Sequence, residues 1–108
     1  MEHTITSENG TMTVYLRGEM DHHNAVPLRE EIDAAITFET PATLKLDLSD
    51  IAFCDSSGLG FIMGRYRRMN ESGGETVLIN PSEPTMKILR LAGVEKLIKT
   101  ETTKGAAT

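Results

Sequence analysis

Hydroxyl and carboxylate groups crowd one short stretch of the chain, Asp55-Ser56-Ser57-Gly58-Leu59-Gly60, preceded by Phe53 and Cys54. A serine in such a stretch could act as a nucleophile, accept a phosphoryl group, or cap a helix. Nucleophilic chemistry needs a base to take the hydroxyl proton and a third group to orient that base. The candidates would be Asp55 and the three histidines, His3, His22 and His23. The strand-to-helix elbow that exposes a hydrolytic serine wants Gly-x-Ser-x-Gly. The register on Ser56 reads Cys54-Asp55-Ser56-Ser57-Gly58 and lacks the first glycine, which leaves a small serine hydrolase as the remote alternative. Capping accounts for the same residues more simply. Asp and Ser oxygens accept from first-turn N–H groups, and glycines permit close backbone approach.

Other chemistry is poorly supported. Asp21, His22 and His23 could be imagined around a metal ion, but adjacent histidines on a loop diverge and no Cys or further His completes four positions. The glycines of the serine stretch are not followed by Gly-Lys-Ser or Gly-Lys-Thr, so a dedicated phosphate-binding loop is absent, although weak nucleotide contact stays open. Cys54 is the only cysteine and reads as a small buried hydrophobe. No cofactor and no metal are expected.

The elements that must position these residues follow from hydrophobic spacing. Asn9-Gly10 sits between two extended segments, with Met12, Val14 and Leu16 alternating against Thr13, Tyr15 and Arg17, which predicts a hairpin. Leu28, Ile32, Ala35 and Ile36 then fall at helical spacing, with Arg29, Glu30, Glu31 and Asp33 elsewhere on the turn; Asn24 is the expected cap and Pro27 the expected first-turn proline. Leu44, Leu46 and Leu48 alternate with Lys45 and Asp47 in a strand with one covered face. A second helix is expected from about Ser57 to Asn70, its inward stripe made by Leu59, Ile62, Met63, Tyr66 and Met69, and Gly73-Gly74 stopping it. Arg65, Arg67 and Arg68 crowd its last turns, where cations complement the negative end of the helix dipole. Thr76 to Ile79 predicts another strand, Pro81-Ser82-Glu83-Pro84 introduces a helix through Leu91, and Leu97-Ile98 supplies a final edge strand. The order β-β-α-β-α-β-α-β predicts an α/β fold: one mixed, mostly parallel sheet of four to five strands with three main helices packed against it.

Length and charge narrow the class further. At 108 residues, 39% hydrophobic and 25% charged, the chain reads as one globular domain over residues 1–100 with a short polar tail at 101–108 that is expected to fray. A net charge of −5 gives little support for gripping nucleic acid. Neither a basic-then-apolar leader nor an apolar run of bilayer length is present, so no membrane partner is expected and the cytoplasm is the expected location.

Two motifs in order, Gly18-Glu19-Met20-Asp21-His22-His23 and Asp55-Ser56-Ser57-Gly58-Leu59-Gly60 continuing through Phe61-Ile62-Met63-Gly64-Arg65-Tyr66, resemble the STAS family. Within it, the likeness is to anti-sigma factor antagonists, especially the sporulation type. The resemblance implies a monomeric switch that binds an anti-sigma factor with serine-kinase activity and releases the sigma factor. Phosphorylation by that kinase would turn it off, and a serine phosphatase would reset it. The family's phosphoacceptor follows the motif aspartate, which puts it at Ser56. The implied partner surface comprises Asp21, Asp55, Ser56, Ser57, Gly58, Leu59 and Gly60. A stress-response antagonist or another STAS regulatory module is the alternative branch.

Overall fold

The computed structural model describes residues 2–51 and 55–103. Phe53 and Cys54, and with Cys54 the expectation of a buried thiol, lie outside the described residues, as does the tail from 104 onward. Strands β1 (Glu2–Glu8) and β2 (Thr11–Arg17) form the expected hairpin. Asn9 and Gly10, both at positive φ (51° and 82°), make the tight turn whose twist matches the strands it joins.

From β2 onward every crossover is a helix and every pairing is parallel. Helix α1 (His22–Glu39) leads to β3 (Thr43–Asp50), α2 (Ser56–Glu71) to β4 (Glu75–Ile79), and α3 (Glu83–Leu91) with a short 3-10 turn (Val94–Lys96) to β5 (Lys99–Glu101). The sheet order β1-β2-β3-β4-β5 steps in one direction only, so right-handed crossovers put all three helices on one face. The register confirms which face. Val14 pairs with Leu46 and Leu46 with Leu78, making a row of fully buried side chains under the helices. Leu28, Ile32 and Ile36 from α1, Ile62 and Met69 from α2, and Leu89 from α3 close the same core. Each such residue contributes roughly 1.5–3 kcal/mol by leaving water. Tyr15, on the opposite face of β2, is exposed.

Three details differ from expectation. Asp21, not Asn24, caps α1, so the helix begins three residues earlier and Pro27 lies inside it. The Asn24 backbone N–H donates to Asp21 Oδ1 at 2.9 Å, while its side chain donates to the Glu19 carbonyl. Secondly, α2 is rotated relative to the expected stripe. Phe61, Ile62, Arg65 and Met69 are buried, whereas Leu59, Met63 and Tyr66 pack half-buried at the rim. Thirdly, the last strand is Lys99–Glu101 and not Leu97-Ile98, because Ile98 is drawn into the core beside the 3-10 turn. Beyond β5 the Thr103 N–H donates to Asn80 Oδ1 at 2.8 Å.

Candidate functional site

Strands β2 and β3 are parallel neighbours, so the helices that follow them start at the same end of the sheet, outside the carboxyl ends of the strands. Gly18, at φ 107°, turns the chain out of β2, and its N–H reaches the Asp50 carbonyl at the end of β3. That link joins the stretches in which the two motifs lie. The first turns of α1 and α2 then face each other across a groove bordered by Ala25 and Val26 on one side and Ser57 and Gly60 on the other.

Both motif aspartates are N-caps. Asp21 is exposed at the head of α1. Asp55 is half-buried at the head of α2, where Oδ1 accepts from the Ser57 N–H at 2.9 Å and from the Gly58 N–H at 3.2 Å. These are the donors that a helix start otherwise offers to an anion. Ser56 is the first residue of α2 and is exposed; Ser57 is half-buried and turned toward the groove. The two serines therefore differ in access although they are neighbours in sequence.

The remaining residues of the second motif divide in the same way. Gly58 is buried in the first turn, Leu59 packs against the core, and Gly60 is exposed with open space where a Cβ would stand. Of the residues of the two motifs singled out above, Asp21, Ser56 and Gly60 are exposed, Asp55, Ser57 and Leu59 are half-buried, and Gly58 is buried.

Arg65 is the functional-site neighbour that sequence reasoning misplaced. It is not an exposed member of a last-turn cluster: its side chain is 4% exposed, its Nε lies 2.9 Å from Asp33 Oδ1, and its Nη2 donates to Asp33 Oδ2 at 3.2 Å. The guanidinium also lies 5.1 Å from the centre of the Phe61 ring, within cation–π range. Burial holds the Arg65 pKa below its ordinary value, opposed by the Asp33 charge. This pair links α1 to α2 beside their shared apolar contacts.

Hydrolytic chemistry gains no support from the geometry. His3, on β1, is engaged by the Glu31 carboxylate of α1, which commits one of the three histidines to a strand-to-helix tie. Among the described residues no cluster of His, Cys, Asp and Glu could hold a metal ion, and no helix is long and apolar enough to cross a membrane.

Comparisons with known proteins agree on one family. The model of the STAS domain matches residues 3–107. The chain is 37% identical over 98 residues to an anti-sigma F factor antagonist of Paenibacillus polymyxa, covering 91% of this chain and 80% of that relative. Among solved structures, the anti-sigma factor antagonist SpoIIAA in its unphosphorylated form aligns with a TM-score of 0.82 at 29% identity, over 98% of this chain and 93% of that one. The phosphorylated form of the Bacillus cell fate determinant SpoIIAA aligns with a TM-score of 0.76 at 29% identity, over 98% and 96% of the two chains.

Proposed function

The chain belongs to the STAS domain family, and on that premise we propose that it is an anti-sigma factor antagonist whose state is set at Ser56. In its unphosphorylated form it binds an anti-sigma factor with serine-kinase activity, and the sigma factor is released. The kinase ends the interaction by transfer from ATP: Ser56 Oγ bonds to the γ-phosphorus, ADP departs, and the hydroxyl proton passes to a base of the kinase. A serine phosphatase restores the hydroxyl. The protein is a cytoplasmic, monomeric switch and performs no catalysis of its own.

One observation carries this reading: an exposed serine opens α2 directly beside an aspartate that already occupies the first-turn donors. A phosphoryl group there adds about −1.5 to −2 charge next to Asp55. With the Ser57 and Gly58 N–H groups bonded to Asp55, the added charge stays at the surface instead of being absorbed by the helix start. A partner fitted to a hydroxyl then meets a bulky dianion.

Incubation with the kinase and ATP tests the acceptor. Wild type is expected to take up one phosphate per chain and Ser56→Ala none. Stoichiometric uptake by Ser56→Ala would move the acceptor, with Ser57 next in line.

The exposed glycine gives a second test. Gly60→Ala meets no atom within 4 Å inside the protein and removes a flexible residue from a helix, so the variant is expected to be more stable by up to about 1 kcal/mol. If the partner's backbone approaches this turn, the same variant binds the anti-sigma factor more weakly. A variant that melts higher and binds normally would exclude close approach at Gly60.

A further inference from the structure

The groove between α1 and α2 carries a charge opposite to that of the whole chain. The formal net charge is −5, yet Arg29 from α1 and Arg65 and Arg67 from α2 line one open groove of about 370 Å³. Asp33 answers Arg65. Among the described residues, neither Arg29 nor Arg67 has a carboxylate within ion-pair distance, and both are exposed. The three guanidiniums feel one another: the charges of Arg29 and Arg67 each lower the Arg65 pKa beyond the effect of burial.

Arg65, 3% exposed, is held from within by Asp33 and by the Phe61 ring, so the two cations that the groove offers to a ligand are Arg29 and Arg67. The groove also has room along its length. Gly60 and Gly64, one turn apart on α2, would both place a Cβ in open space, so the helix backbone itself forms the floor. From Ser57 to Gly64 this floor runs about 10 Å at 1.5 Å per residue. A small anion would use the guanidiniums but not the length. A polypeptide segment uses both.

We propose that this groove receives an acidic segment of the anti-sigma factor, an inference that rests on the partner-switching reading above. The groove begins at Ser57, beside the phosphoacceptor, so a partner chain that passes over Ser56 continues along α2 between Arg29 and Arg67. Its Asp or Glu side chains pair with those two arginines. The basic groove then supplies attraction and orientation, while Ser56 decides whether the complex persists.

Arg29→Glu and Arg67→Glu test the proposal, because both side chains are exposed and each variant should retain the fold, which a melting curve checks. Each is titrated against the purified anti-sigma factor at low and physiological salt, alongside wild type and Ser56→Asp. Each reversal is expected to weaken binding by about ten-fold or more at low salt, with a smaller loss as salt screens the pairing. An acidic-to-lysine change on the partner is expected to restore binding to Arg67→Glu. Wild-type affinity in both reversals, with Ser56→Asp still weakened, would overturn the groove proposal and leave the switch intact. No binding by wild type would remove both. Titration with inorganic phosphate and with ATP separates the remaining possibility: saturable binding abolished by Arg67→Glu, with anti-sigma factor affinity unchanged, would make the groove a small-anion site and overturn the proposal.

Discussion

Asp33→Ala is expected to destabilise the fold by about 3 kcal/mol, because it strands the buried Arg65 guanidinium without its counter-charge. The figure sits at the low end of the range for breaking a buried pair, since the Asp33 side chain is 34% exposed and water can reach the vacated place. Arg65 itself cannot swing out cheaply, being packed at 4% side-chain exposure against Phe61. Combining Asp33→Ala with Arg65→Met removes both charges while retaining apolar volume, and should recover much of the loss. Urea unfolding of the two singles and the double gives the coupling directly. A cost under about 1 kcal/mol for Asp33→Ala would mean that the pair behaves like a solvated surface bridge. Because the pair ties α1 to α2, Asp33→Ala should also weaken partner binding more than its distance from Ser56 would suggest.

Ser56→Asp is expected to separate binding from folding. The substitution places one negative charge at the first position of α2, where the helix dipole favours it and the neighbouring Asp55 opposes it. Those terms are of similar size, and Ser56 is exposed, so no core contact is lost. Melting should stay within about 4 °C of wild type, while affinity for the anti-sigma factor falls by about ten-fold. Calorimetric titration and a melting curve on the same preparations measure both. A collapse in melting temperature would place the effect in the fold, and unchanged affinity would show that one charge at this position is not read by the partner.

Much of the architecture was legible because it depends on local chemistry. Asn9-Gly10 specifies a tight hairpin through two positive φ angles, and the alternation of Leu44, Leu46 and Leu48 specifies a strand with one covered face. The start of α1 was ambiguous for an equally local reason. Asp21 and Asn24 are both good caps, and the preference of proline for first turns favours the later one, yet the Asn24 N–H serves Asp21. The rotation of α2 was not legible at all. It puts Phe61, Arg65 and Met69, spaced four residues apart, on the buried face, and Arg65 is accommodated there by Asp33, 32 residues away in the chain. Within the candidate site, residue types identified the segment, but only the structure distinguishes exposed Ser56 from half-buried Ser57 and shows Gly58 to lie beneath the surface instead of on it.

The central claim is that phosphate on Ser56 controls an interface. Its most direct measurement is a calorimetric titration of the purified anti-sigma factor with unphosphorylated protein and with protein phosphorylated at Ser56, under one set of salt and nucleotide conditions. The account predicts saturable binding by the unphosphorylated form and a loss well beyond the roughly ten-fold expected of Ser56→Asp, since phosphate carries nearly twice the charge. Equal affinity of the two forms would contradict it.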